Sequence, residues 1–494
     1  MLDQVIIEFF VFLLRLYNLF LMRRLDNFFI YFFILVIFIN MSNHNLEISP
    51  SNVLSNGIVS FKNGNPVISF IIGEQDRLLL GKSVRLCGKF RCRIQADNVA
   101  GAPPAADIVA ANDNLFSSAR LGVYGAIDQL VWKSQETHQV IEHIKHYNRF
   151  MSSYLPATTS LCDGLSHLSE TALCLPNNLV YKQSVLDNPA QATTGNSFCI
   201  SLPCGLLNGT ANIPLSSTWG LKGLLLEIHL APDNNFLNAG EKQGAAPADP
   251  TITGLENASY EMSDVSLVCE VIDPSPEQLK QYPASGGTFE YNSISSYFTS
   301  INSTNAIVNF NLGLRRVLGV FMNFIPSTRI NNLLYEGLAT DPIKNSTFAP
   351  AQIEKVSFLK GGDKFPLNYD IDYLGTDGIT YKEWDSQISR NFINAFKGWA
   401  TNDRITTNVS NTFEVGNEGT FTAFDELNTP DGGQGFGVGM AYDVISDQGV
   451  DFSRQAWGMQ MSVGLTTDNP HGVYLFAHSK QTIAYNSNGL QVMA

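Results

Sequence analysis

Beyond residue 65 the dominant pattern is a period of two, interrupted at short intervals by Gly, Pro, Asn and Asp. Ser83–Ile94 shows it best. Val84, Leu86, Gly88, Phe90, Cys92 and Ile94 share one face, and Arg85, Lys89, Arg91 and Arg93 share the other. A period of two with cations outward predicts a half-exposed strand. Further strands are predicted at Pro66–Ile72, Leu78–Leu80, Val123–Lys133, Phe198–Leu202, Gly223–Leu230 and Tyr260–Ile272. They continue at Ala306–Leu312, Leu318–Phe324, Ile353–Phe358, Asn411–Val415, Gly437–Val444 and Gln460–Leu465. The tail reads as a hairpin of Val473–His478 with Gln481–Tyr485. Its first strand is apolar on both faces, Val473, Leu475 and Ala477 against Tyr474 and Phe476, which predicts burial on both. Many strands between turn signals, with no alternation of strand and helix, predict antiparallel sandwiches.

One segment breaks the period. In Gln135–Tyr154, apolar Val140, Ile141, Ile144, Tyr147, Phe150 and Met151 recur at three and four. Glu142, Lys145, His146 and Arg149 fill the other face. This predicts one helix, capped by Ser134 and stopped by Pro156. Ser42–Gly64 is polar and reads as an arm or loop, and Asp97–Asn114, with Pro103-Pro104, as a loop. Pro274-Ser-Pro276 to Gly286-Gly287 is the best linker. The expected organisation is therefore an arm at 41–64, a first sandwich at 65–273, a linker at 274–287 and a second sandwich at 288–494. Each half is long enough for eight strands and long loops.

Residues 1–40 are a different kind of sequence, almost wholly Phe, Leu, Ile, Val, Tyr and Asn. Their apolar runs, broken by Glu8 and by Arg23-Arg24, fall short of the ~20 residues of a membrane span. Asp3 opens the chain and no small-residue cleavage site follows, unlike a signal peptide. The expectation is upstream DNA translated in frame, with Met41 as the physiological start; a membrane anchor and a signal are the alternatives.

Composition narrows the class. The chain has 494 residues, of which 44% are hydrophobic and only 15% charged. That excludes a disordered chain and a charged coiled coil. Lys+Arg is 31 against Asp+Glu 45, a net charge of −14, which argues against direct nucleic-acid binding. Seven cysteines, Cys87, Cys92, Cys162, Cys174, Cys199, Cys204 and Cys269, form no C-x-x-C pair and are odd in number. They read as reduced, partly buried thiols of a protein assembled inside a cell. Cys87 and Cys92, an odd distance apart on one strand, point to opposite faces and cannot pair.

Fragments that look catalytic fail on spacing. Gly81-Lys82-Ser83 has Asp76 where a P-loop needs its first Gly, and a strand follows where a helix should. Gly433–Gly439 lacks a βαβ setting and reads as a bulge or loop. Asp370-Ile-Asp372-Tyr-Leu-Gly375 places Leu374 and Tyr381 where calcium ligands belong. Gly164-Leu-Ser166-His-Leu168 lacks the second Gly of a nucleophile elbow. His138, His143 and His146 are spaced five and three apart, not the four of a zinc-binding helix, and read as a solvated helix face. No catalytic, cofactor-binding or metal-binding residue is assigned, and the expectation is a protein that is not an enzyme.

Three stretches carry a resemblance. Leu121–Phe150, Ser83–Ile94 and the tail Pro470–Tyr485 resemble segments of major capsid proteins of the double jelly-roll lineage, that of polinton-like viruses, virophages and large DNA viruses. The resemblance implies an all-β fold of two consecutive eight-stranded antiparallel jelly rolls, with a short helix inserted in the first. It implies a structural protein of the virion, assembled inside the host cell. Three chains would form a pseudo-hexagonal capsomer, and capsomers would tile an icosahedral shell, often over an internal membrane. Implied partners are the homotrimer, neighbouring capsomers, and penton and minor capsid proteins, without direct nucleic-acid contact. The competing class is a secreted or membrane-anchored β-sandwich that binds carbohydrate through Trp132, Trp219, Trp384, Trp399 or Trp457. A glycoside-cleaving jelly roll would need two carboxylates at a set separation, and no candidate pair stands out.

Overall fold

The computed structural model describes residues 43–52, 57–62, 64, 66–94, 114–118, 121–158, 168–174, 182–184, 195–208, 212–240, 258–282, 286–303, 305–327, 330–331, 353–372, 438–442, 448–463, 471–486 and 489–493. The leader, the 97–113 part of the predicted loop, the Asn411–Val415 strand, residues 433–437 and the Gly164 motif up to His167 lie outside them, as do Cys162, Trp384 and Trp399.

Five antiparallel sheets hold the described strands. The first runs β10 (Asn196–Ser201), β5 (Arg85–Ile94), β14 (Ala258–Ile272), β4 (Leu78–Leu79), β11 (Ile213–Pro214), with β1 (Asn43–Ile48) and β2 (Ile58–Val59) also paired to β14. The second runs β3 (Val67–Ile72), β12 (Leu224–Leu230), β7 (Ile127–Ser134), β8 (Val140–Ile144). A small third sheet holds β13 (Asn238–Gly240), β6 (Asn114–Ser118) and β9 (Lys182–Ser184). The fourth runs β15 (Gly287–Ile301), β23 (His471–Asn486), β17 (Val317–Pro326), β21 (Val438–Ala441), with β24 (Gly489–Met493) paired to β23. The fifth runs β16 (Asn305–Phe310), β22 (Trp457–Val463), β18 (Ile353–Lys360), β19 (Asp363–Lys364), with β20 (Ile371–Asp372) paired to β18. Among the described residues, no sheet mixes strands from before Asp273 with strands from after Gly286.

Alternation places the core. Strand β12 buries Leu224, Leu226, Ile228 and Leu230 and half-exposes the residues between them. Strand β5 buries Leu86, Phe90 and Cys92 and turns Lys89 out to Asp264, 2.8 Å away. One continuous apolar cluster takes in the inward residues of both halves, from Ile68 and Phe70 to Leu475 and Ile483.

Several expected elements are corrected. The helix Gln135–Tyr154 is in fact a hairpin followed by a shorter helix, α1 (Tyr147–Thr158). Ser134 ends strand β7, and its N–H donates to Gln139 O across a tight turn in which His138 takes a positive φ of 53°. Val140–Ile144 then pairs with β7, Leu130 opposite Ile144 and Trp132 opposite Glu142. The β-branched run gains a full ladder there, which tertiary pairing favours over an isolated helical turn. His146, φ 54°, redirects the chain, and its carbonyl accepts the N–H of Phe150 as the first acceptor of α1. Pro156 sits inside the last turns of α1 and does not stop it. The histidines consequently share no helix: His143 lies on β8, 2.9 Å from Gln129 Oε1, and the other two sit in turns.

The tail hairpin is also corrected. Val473–His478 and Gln481–Tyr485 form one strand, β23, and its turn comes only before β24. Residues 472–479 are buried on both faces, as their pattern predicts; from Lys480 onward burial alternates. The arm is not wholly loop, since β1 and β2 lie in it. The first residues of Val123–Lys133 are a 3-10 turn. The predicted linker holds a helical turn, Pro276–Leu279, with Ser275 and Gln278 forming a capping box. Strand β15, rich in Ser and Thr, went unpredicted although Phe289 and Tyr291 mark one buried face and Ile294 is buried on the other.

Candidate functional site: the junction between the two halves

The polar and aromatic side chains that stand out for burial gather where β8 and α1 meet β15, β17 and β23. Glu142 on β8 is 2% exposed. Its Oε1 accepts N–H bonds from Gly205 (3.0 Å) and Ile294 (2.7 Å), and its Oε2 accepts one from Leu206 (2.9 Å). Gly205 and Leu206 open the helical turn Gly205–Asn208, whose first N–H groups have no partner within the turn. Ile294 belongs to β15, so a single carboxylate ties the two halves together. Position 205 must be glycine: a Cβ there would lie 2.2 Å from Asn292 O on β15. Tyr291 Oη adds a second tie, donating to Ile141 O at 2.6 Å, with Gln481 Oε1 at 2.8 Å.

Helix α1 supplies the rest. Tyr147, Phe150, Met151 and Leu155 are buried, but so are Asn148, Arg149, Ser152 and Ser153, so the helix is enclosed nearly all round. Asn323 on β17 donates through Nδ2 to Arg149 O (2.6 Å), and its Oδ1 accepts from Ser153 Oγ. Arg149 donates to Ile330 O at 2.8 Å, and its guanidinium stands 5.8 Å from the Tyr474 ring centroid. Phe150 packs on Phe321 and Phe476 at 5.8 and 5.7 Å, and those two rings stack at 5.2 Å. His146 meets Tyr474 edge-on at 4.9 Å.

Burial sets the electrostatics. It pushes the Glu142 carboxyl up to about 7, while the three N–H donors pull the other way. Tyr147 and Tyr291 are held well above the usual phenol range by the same desolvation. His478, fully buried on β23, is pushed down to about 3.

The arrangement fastens strands from before Asp273 to strands from after Gly286. Among the described residues, no group of three His, Cys, Asp or Glu side chains could hold a metal ion. Lys82 lies in a 3-10 turn that runs into β5, with no helix to cradle a phosphate. Trp132, Trp219 and Trp457 are buried and present no ring to a sugar. Among the described residues, no helix is long and apolar enough to cross a membrane. The sequence reading missed Glu142 and Arg149 as junction residues, because both fell on the polar face of the supposed helix. The signal was available: Val140–Ile144 reads equally well as a β-branched strand with one acid in it.

No protein-family model and no curated protein sequence matches the chain. Solved structures do match. A chain of the Sputnik virophage structure superposes with a TM-score of 0.52 at 11% identity, over 92% of this chain and 88% of that one. The Faustovirus major capsid protein gives 0.52 at 9% identity, over 90% of each chain. VP54 of PBCV-1, fitted into a reconstruction of Sputnik, gives 0.51 at 10% identity, over 92% and 97%. The chain thus has the all-β double jelly-roll fold of these proteins.

Proposed function

We propose that this chain is a viral major capsid protein, a structural protein of the virion that assembles inside the host cell. The observation that carries the reading is the likeness to capsid chains over about nine-tenths of this chain and of theirs. The junction supports it physically. A pseudo-hexagonal tile made of three chains needs two similar sandwiches per chain held at a fixed angle. Charge-assisted hydrogen bonds to backbone and a buried aromatic cluster meet that need better than a flexible linker would. Copies of this chain would associate as a homotrimer, and trimers would pack against one another, with penton and minor capsid proteins closing an icosahedral shell. We place the first jelly roll at 65–273 and the second at 288–494. A net charge of −14 fits a shell that leaves genome binding to other proteins. The role is structural, and no residue is assigned to catalysis.

Light scattering behind a size-exclusion column, followed by negative-stain microscopy, tests the reading. The expected result is a trimer with a hexagonal outline. A cooperatively melting monomer at micromolar concentration would overturn it.

A further inference from the structure

Cys87 and Cys199 sit directly opposite each other in the β5–β10 ladder. Their Sγ atoms are 2.9 Å apart, and both are free thiols. They lie on the outward side of the first sheet, since Leu86, Phe198 and Ile200 beside them are buried. Cys199 is exposed and Cys87 half-buried, whereas Cys92, Cys174, Cys204 and Cys269 are buried. Opposed residues of an antiparallel ladder have Cα atoms about 4.5–5.5 Å apart. That falls inside the ~4.4–6.8 Å range a disulfide bridges without backbone movement.

We propose that Cys87 and Cys199 form a dithiol site that low-molecular-weight disulfides of the glutathione class oxidise to a cross-strand disulfide. The water-accessible Cys199 thiolate attacks one sulfur of glutathione disulfide, forming a mixed disulfide and releasing one glutathione thiolate. Cys87 then gives up its proton and attacks the Cys199 sulfur, which releases the second glutathione. Two protein thiols are oxidised to one disulfide, and one glutathione disulfide is reduced to two thiols. Burial and the neighbouring thiol push the Cys87 thiol up to about 12, which suits the slower, resolving step. Strand β10 is the end strand of its sheet among the described residues. The bond would fasten it to β5 across positions 112 apart in sequence, where a cross-link constrains the unfolded chain strongly. The chain would thus assemble with thiols and gain a staple on meeting an oxidising medium.

The full chain is incubated with glutathione disulfide, alkylated, and read by intact mass and peptide mapping. The expected product loses about 2 Da, yields a linked Cys87–Cys199 peptide, and labels Cys199 at least ~10-fold more slowly with maleimide. The Cys87→Ser variant should stop at a single glutathione adduct on Cys199. The Cys199→Ser variant should leave Cys87 unreacted. Circular dichroism melting establishes that both serine variants fold. A parent chain that stops at the mixed adduct, or that links either cysteine elsewhere, sinks the proposal. So does a Cys87 that is still alkylated after oxidation.

Discussion

Strands β5 and β23 both lie inside a sheet with a neighbour on each side, β10 and β14 for one, β15 and β17 for the other. Yet β5 buries one face, whereas residues 472–479 of β23 bury both. Backbone pairing is the same kind in each; what differs is what covers the second face. The outer face of β5 carries the exposed Lys89–Asp264 ion pair. Outside β23 lies α1, with Phe150 on Phe476 and Arg149 over Tyr474. The contrast shows that sandwich position alone does not set a strand's environment: the junction turns one stretch of β23 into shared core for both halves.

Four measurements break or sharpen that contrast. Leu475→Asp places a carboxylate at a site with no exposure, pointing away from α1, and should cost more than ~5 kcal/mol, a large share of ordinary stability. Soluble protein should vanish; a yield like the parent's would mean that β23 is not core. Phe150→Ala opens a cavity between α1 and the second half and should cost ~3–5 kcal/mol by urea unfolding. A loss under ~1 kcal/mol would show the junction carries little.

Acid should act on β23 through His478. Burial depresses its folded value from 6.5 to about 3, so its contribution is full above about 6.5 and is lost as pH falls toward 3. The loss is on the order of a few kcal/mol. Glu142 has the opposite sign: its folded value is raised to about 7, so its contribution is full below about 4.5 and is lost as pH rises through 7. Comparing the parent with His478→Gln isolates the histidine. The stability gap between the two should shrink as pH is lowered from about 7 to about 4; a constant gap would contradict a buried neutral ring. Smallest of all, Lys89→Ala on the open face of β5 should move the urea midpoint by less than ~0.5 kcal/mol equivalent, because its ion pair is well exposed.

Strands β5, β12 and β14 were legible because alternation over seven or more residues has no helical counterpart. Gln135–Tyr154 misled because Ile141, Ile144, Tyr147, Phe150 and Met151 are buried in the structure too, merely on two elements joined at His146. Val140, predicted for the same face, is exposed, and the period was wrong. Strand β15 was lost because Ser293 and Ser295 follow Phe289 and Tyr291 on the same face and dilute it. The junction itself could not be read from sequence. The donors to Glu142 come from positions 63, 64 and 152 residues away, and no local pattern announces them. The Cys87–Cys199 pair is hidden for the same reason: both strands are legible, but their pairing joins positions 112 apart in sequence.

The polar ties at the junction have a consequence for heredity. Glu142 binds the N–H groups of Gly205, Leu206 and Ile294; Arg149 binds the carbonyl of Ile330; Asn323 binds that of Arg149; Tyr291 binds that of Ile141. Every one of these partners is main chain, although Ser152 and Ser153 also meet Asn323 through their hydroxyls. Any residue offers a carbonyl, and any but proline offers an N–H. Apart from Gly205, and from Arg149, whose own side chain is one of the ties, the partner positions can therefore change identity while the fastening holds. A chain built this way can keep its shape under very different spellings, and its fold is indeed shared with chains only 9–11% identical to it.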